Sequence, residues 1–272
     1  MNENKISTLA DIARQIRLNA IIGVHAAKSG HPGGSLSIAD ILACLYFDEM
    51  NIDPENPQME TRDRFVLSKG HCAPAYYSAL ALRGYFPIEE LKTLRSVNSR
   101  LQGHPDMKHI PGVDMSTGSL GMGISAACGM ALAGKGQFRV YSILGDGECQ
   151  EGEVWEAAMF AAHYKLDNLV AFVDFNGLQI GGNITDVMNP TPFDQKFKAF
   201  GWNVLTIDGH NIPAILEALQ KARQVKEQPT VIIAKTVKGK GVSFMENMAK
   251  WHGAAPNDEQ FAIAMKDLGG NN

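Results

Sequence analysis

The sequence predicts an α/β fold: a parallel sheet with helices on both faces. Two observations carry this expectation. Strand-length runs such as "RVYSIL", "LVAFVDF" and "TVIIAKTV" are apolar almost throughout, as strands covered on both sides must be. Segments with helical spacing of apolar residues alternate with them, the order that crossover connections produce. The first element, residues 4–28, repeats apolar side chains at Ile6, Leu9, Ile12, Ile16, Ala20, Ile21 and Val24, one face of a long helix. "SGHPGGS" breaks the chain, and "SIADILACLYFDEM" reads as a second helix with Ser37 as its cap. "RFVLS" is a short strand leading into the loop "KGH" and a helix around "APAYYSALALRG". The glycine-punctuated stretch "QGHPDMKHIPGVDMSTGSLGMG" feeds a small-residue helix, "ISAACGMALAG". Regular alternation follows: strand "RVYSIL", helix 151–164, strand "LVAFVDF", a loop, strand "WNVLTID", helix 212–226 and strand "TVIIAKTV". A loop rich in lysine and glycine then precedes a final helix from Asp258.

The 272 residues are enough for one large α/β domain or two small ones. With no repeat, low-complexity tract or linker-like shift, residues 1–272 read as a single domain. A net charge of −4 argues against nucleic acid or an anionic membrane as a partner. Cys44, Cys72, Cys128 and Cys149 form no CxxC pair, which argues against a disulfide framework or a zinc knuckle. The amino terminus lacks an apolar signal core, and no run has the length of a membrane span. A soluble, cytoplasmic protein is expected.

The chemistry is read first from "ILGDGECQEG". Within the strand-helix-strand unit 138–176, Asp146 follows one strand and Asn176 follows the next. The right-handed crossover makes those strands parallel and commonly adjacent, and ligands of open parallel sheets bind at that carboxyl edge. A carboxylate and an amide oxygen side by side are half of a hard-cation site, which Mg²⁺ completes with phosphate oxygens and water. Gly145 and Gly147 allow a sharp turn and the close approach of a bulky anion. The helix starting near Glu151 adds the positive end of its dipole. The alternative is that Asp146 only caps a tight turn.

Gly-Asp-Gly, followed at this spacing by Asn, resembles the thiamine diphosphate fingerprint. The surrounding "GDGECQEGEVWEAAMFAAHYKLDNLVAFVDFN" is similar to transketolases. The resemblance runs from "SGHPGGS" through "LSKGH", "QGHP", "TGSLG" and "KTVKGKG" to "WHGAAP". It implies a diphosphate-binding domain in which Asp146, Asn176 and the backbone carbonyl of Leu178 hold Mg²⁺ (or Ca²⁺ or Mn²⁺ in its place). It also implies that thiamine diphosphate supplies the electron sink for transfer of a two-carbon ketol unit from a ketose (phosphate) to an aldose (phosphate). His31, His71, His104 and His252 match the active-site histidines, and all lie in loops, where function sits on a rigid scaffold. His31 and His252 are expected to meet the reacting oxygens and the adjacent diphosphate, and His71 and His104 the cofactor phosphate and substrate hydroxyls. Gly118 and Leu120 correspond to positions at the pyrimidine ring. Glu151, ranked above Glu156, is expected to join an acidic network facing a partner. Lys238 and Lys240 either neutralise phosphate or lie in a solvated loop. His25, His109, His163 and His210 carry no catalytic expectation, and His210 in "DGHN" reads as structural.

Departures from the family pattern are "GSLG" in place of "GPLG", Met122 where Gln is usual, and Gly177 and Gly182 in "FNGLQIGG". The family's carboxylate for the pyrimidine, and most groups gripping the sugar phosphate, belong to a second domain. The expectation is that a separate carboxy-terminal transketolase subunit supplies it, as an α₂β₂ assembly with the active site at the interface. The alternatives are a subunit of another thiamine diphosphate enzyme, resembling deoxyxylulose-phosphate synthase or a 2-oxo acid dehydrogenase α chain, or a non-catalytic thiamine diphosphate-binding subunit. A dinucleotide-binding Rossmann enzyme is disfavoured, because no G-x-G-x-x-G turn follows the first strand.

Overall fold

The computed structural model describes residues 3–270; the outermost residues of the expected 1–272 domain, Met1, Asn2, Asn271 and Asn272, lie outside them. The first helix, α1 (Glu3–Ala27), buries the stripe Leu9, Ala13, Ile16, Ala20 and Val24, as its periodicity predicts. Two short helices follow, α2 (Pro32–Ser37) and α3 (Ala39–Cys44), and then a π turn over Leu45–Glu49. Here the structure corrects the expected cap. Pro32, not Ser37, starts the helical segment, since proline suits a first helical turn. The Ser37 hydroxyl instead donates to Gly34 O and to the Asp174 carboxylate.

Strand β1 (Arg64–Leu67) leads through a 3₁₀ turn (Gly70–Cys72) into α4 (Ala73–Arg83), and α5 (Met122–Ala133) precedes β2 (Val140–Gly145). A 3₁₀ turn (Gly147–Gln150) and α6 (Gly152–His163) connect β2 to β3 (Leu169–Phe175). A two-stranded hairpin, β4 (Leu178–Gln179) and β5 (Gly182–Asn183), comes next, then α7 (Ile184–Met188) and α8 (Phe193–Ala199). The last strands are β6 (Asn203–Asp208) and β7 (Thr230–Lys235), joined by α9 (Ile212–Gln224), and α10 (Asp258–Asp267) closes the fold.

The main sheet has the order β1-β2-β3-β7-β6 and is parallel throughout. Alternation along each strand divides the core. Phe65, Leu67, Tyr141, Ile143, Phe172 and Ile232 face α1, α3, α4 and α9. Val66, Val140, Leu144, Val173, Val231 and Ile233 pack with residues of α5, α6 and α8. A third cluster holds Ile21 and Leu36 against Val242, Met245, Trp251 and Met265. It pins the carboxy-terminal loop onto α1 and α2 and so fixes the position of the "WHGAAP" segment. β2 and β3 are adjacent and in register from Val140↔Leu169 to Gly145↔Asp174, which puts Asp146 beside the turn that carries Asn176.

Candidate functional site

The loops after β1, β2, β3 and β7 meet at one edge of the sheet around a cleft of about 310 Å³. Every residue singled out as catalytic, cofactor-binding or metal-binding lines it: His31, His71, His104, His252, Gly118, Leu120, Gly145, Asp146, Gly147, Glu151, Asn176 and Leu178. Close packing of backbones brings the loops together. A Cβ at Gly70 would lie 2.5 Å from Thr117 Oγ1 and 2.9 Å from Gly118 N, so "LSKGH" meets "STGSLG" only through glycine. Gly118 itself sits at φ +151, with its side-chain face against the His104 ring. The Tyr77 hydroxyl, donating to Gln102 O and His104 O (2.9 and 2.8 Å), secures the "QGHP" loop.

Asp146 is 3% exposed. Its Oδ1 accepts from Gly147 N (2.8 Å), capping the 3₁₀ turn, and its Oδ2 accepts from Gly177 N (2.5 Å) on the neighbouring strand's turn. The cap alternative is therefore true of one oxygen and does not exhaust the residue. Asn176 Oδ1 accepts from Leu178 N (3.1 Å), and the Leu178 carbonyl accepts from Lys238 Nζ (3.0 Å). Burial, and then the Asp174 charge, push the Asp146 carboxyl up to about 6. A carboxylate, an amide oxygen and a main-chain carbonyl, with too little positive charge to settle the carboxylate, fit the oxygen preference of Mg²⁺. The carbonyl's second lone pair leaves it able to serve a lysine and a cation together.

The four histidines form one cluster. His31 lies 5.3 Å from His71, 5.6 Å from His252 and 6.2 Å from His104, ring centre to ring centre. His71 stacks on His252 at 4.9 Å. Burial, then Arg95, His104 and Lys238, depress the His31 imidazole to about 4. Burial, and next Lys238, take His252 to about 3. His71 and His104 are lowered too, by burial first and then by Lys69 and Arg95 respectively. All four rings are thus neutral at pH 7, each with one donor and one acceptor nitrogen. Arg95 NH2 approaches His31 Nδ1 (3.4 Å) and Lys238 Nζ approaches His252 Nδ1 (3.1 Å). Because both partners are cationic donors, the remaining proton of each ring sits on Nε2.

Motif reading missed several groups in and around the cleft. Asp174 is fully buried. It accepts from Lys69 Nζ (2.6 Å), Ser37 Oγ (2.7 Å), Asn176 Nδ2 (2.9 Å) and the Thr236 hydroxyl. Burial pushes its carboxyl up, but Lys69 and the hydroxyl donors outweigh this and hold it below the usual range. Through Nδ2 it orients the Asn176 amide. The available signal was an acid inside the otherwise apolar "LVAFVDF". Glu148, also buried, accepts from Ser68 Oγ (2.5 Å), Gly121 N (2.9 Å) and Gly145 N (2.9 Å), tying three loops together. The "KGKG" lysines separate: Lys238 is 2% exposed and lines the cleft, whereas Lys240 lies outside it near Glu246 (3.7 Å). Glu151 is exposed at the start of α6, on the rim; Glu156 is exposed farther along that helix, away from the cleft. His25 stacks on Phe261 at 4.0 Å, and His109 pairs with Asp106. The four cysteines are buried and free. Among the described residues no helix is long and apolar enough to cross a membrane.

The chain matches the family model for the transketolase thiamine diphosphate binding domain over residues 8–272. It is 47% identical over 264 residues to 6-deoxy-6-sulfo-D-fructose transketolase subunit SqwG of Clostridium sp. (strain MSTE9), covering 95% of this chain and 94% of that one. One of the named subunits of the apulose-4-phosphate transketolase from Phocaeicola vulgatus is 41% identical over 267 residues, covering 97% of this chain and 95% of that one. The transketolase structure from Leishmania mexicana superposes with a TM-score of 0.93 at 32% identity, covering 97% of this chain and 41% of that one. The chain thus spans about two fifths of the length of that transketolase. On the family match, and with these loops gathered at the carboxyl edge of a parallel sheet, the chain belongs to the transketolase family and corresponds to its thiamine diphosphate-binding domain.

Proposed function

We propose that this chain is the diphosphate-binding subunit of a two-chain transketolase, transferring a two-carbon ketol unit between sugar substrates with thiamine diphosphate and Mg²⁺. The observation that carries the reading is the cleft itself, where buried lysines and neutral histidines surround the Asp146–Asn176–Leu178 oxygen set. Asp146, Asn176 and the Leu178 carbonyl would hold the metal, and Lys238 would offset diphosphate charge. Bound thiamine diphosphate would supply the carbon nucleophile and electron sink. His31 and His252, each with its proton on Nε2, would donate to a ketose oxygen as charge develops there and take the proton back. His71 and His104 would orient the phosphate and the sugar hydroxyls, and Gly118 and Leu120 would support the pyrimidine ring. Glu151, on the rim, would face the partner chain. The rest of the site would come from a carboxy-terminal subunit, in an α₂β₂ assembly acting in the cytoplasm.

Relatives of nearly this length are named as subunits of transketolases for two different sugars, which fits a donor preference written largely in the other chain. The test is ketol transfer from xylulose 5-phosphate to ribose 5-phosphate with Mg²⁺ and thiamine diphosphate, first with this chain alone and then with the product of the neighbouring reading frame added. Other ketose donors, phosphorylated and sulfonated, would be screened alongside. Activity only in the mixture is expected. Turnover by the pure single chain would overturn the two-chain reading.

A further inference from the structure

His210, set apart from the catalytic histidines by its motif, occupies the turn between β6 and α9 and touches the cleft through one intermediary. Its Nε2 accepts the main-chain N–H of Val237 at 2.9 Å. That nitrogen therefore carries no proton, and the ring's proton sits on Nδ1. Nδ1 donates to Asp40 Oδ2 on α3 at 2.8 Å. Both terminal nitrogens of Arg17, from α1, also bind the Asp40 carboxylate, and Arg17 Nε donates to Leu36 O at 3.1 Å. The turn cannot drift away from β7: His210 N donates to Asp208 Oδ1 (2.9 Å), and Gly209 N donates to Lys235 O (2.8 Å). A Cβ at Gly209 would stand 2.5 Å from Thr236 Cγ2.

The next residue after Val237 is Lys238, and its surroundings are unusual. Its buried ammonium donates to two neutral acceptors, Leu178 O and His252 Nδ1. Among the described residues no carboxylate lies within 4.0 Å of it. Gly239 N donates to Gly33 O (2.9 Å), anchoring the far side of the same turn. The depth at which Lys238 enters the cleft is thus set from two sides, by Gly33 after it and by His210 before it.

We propose that His210 is a positioning residue: by holding Val237, it places the Lys238 ammonium where the diphosphate of the cofactor would meet it, while Asp40 and Arg17 hold the ring in the required tautomer. This rests on the functional reading above. The test is thiamine diphosphate binding, followed by calorimetry with Mg²⁺, to this chain assembled with its partner subunit. His210→Ala is expected to weaken binding about tenfold, the scale of a lost hydrogen bond to a charged group. His210→Gln, whose amide can still accept from Val237, should recover most of the loss; His210→Asn, which reaches only Asp40, should not. In a Lys238→Ala background, His210→Ala should cost nothing further. Equal penalties with and without Lys238, or wild-type affinity in His210→Asn, would overturn the positioning role alone. No binding by the unsubstituted assembly would overturn the functional reading and this role with it.

Discussion

Two polar clusters lie side by side at the carboxyl edge of the sheet, and they differ in how completely their charges are answered. Around Asp174, four donors converge on one buried carboxylate, Lys69 among them, and Lys69 also donates to Gly34 O (3.0 Å). Charge and hydrogen bonds close there without a ligand. Around Lys238, a buried cation meets one neutral ring, His252, and one carbonyl, that of Leu178, and nearby Asp146 rests on two main-chain N–H groups. A buried ion keeps its charge at low cost only when paired. The first cluster therefore reads as scaffold, and the second as the place where the proposed diphosphate and Mg²⁺ would bind.

Breaking the closed cluster should have the largest effect. Lys69→Met leaves Asp174 buried without its ion partner and should cost on the order of 3–5 kcal/mol of stability, read by urea unfolding of the chain. Adding Asp174→Asn should restore part of it. An unchanged midpoint in Lys69→Met would remove the distinction between the clusters. In the open cluster the same kind of change should spare the fold and damage binding. Asp146→Asn should leave the unfolding midpoint at neutral pH at or above wild type, because burial disfavours the ionised carboxyl. It should reduce Mg²⁺-dependent thiamine diphosphate affinity by about a hundredfold or more, since even groups behind a metal ligand typically contribute 10–100-fold.

Acid should sharpen the contrast further. The folded pKa of His31 is about 4, against an ordinary 6.5. Unfolded chains therefore bind the extra proton first as pH falls, and this contribution to stability, intact above 6.5, is lost progressively toward pH 4. Asp146, raised from 3.8 to about 6, works the other way, because the folded chain binds its proton first. Urea midpoints measured from pH 7.5 to 5 should fall more steeply in Asp146→Asn than in wild type, and less steeply in His31→Gln. Identical slopes in all three would contradict the assigned protonation states. The smallest effect is expected for Lys240→Ala, within about 0.5 kcal/mol in stability and silent in cofactor affinity, against about a tenfold loss of affinity for Lys238→Ala.

How far the sequence discloses this molecule follows from the range of the interactions involved. β3 coincides with the run "LVAFVDF", because burial on both faces leaves an unbroken apolar signal. α8 was hidden within a loop by Pro190 and Pro192, although Phe193, Phe197 and Phe200 have helical spacing. The hairpin Leu178–Asn183 is glycine-rich and short, with no periodicity to read. The histidines and the Asp146–Asn176 pair could be read because each sits in a short local motif, Asp146, Asn176 and His71 just past strands and His31, His104 and His252 in loops away from them. Asp174, Glu148 and the His210–Val237 contact could not, since their meaning lies in partners far along the chain: Lys69 and Ser37 for Asp174, Ser68 and Gly121 for Glu148. The Ser37 cap expectation failed for the same reason, its hydroxyl being taken by Asp174 across the fold.

The most direct test of the central claim is an equilibrium titration of thiamine diphosphate, with and without Mg²⁺, into the chain mixed with the product of the neighbouring reading frame. Wild type and Asp146→Asn would be compared at matched stability. The account predicts saturable, Mg²⁺-dependent binding by wild type and its loss in Asp146→Asn. Equal binding by the two proteins, or binding indifferent to Mg²⁺, would contradict it.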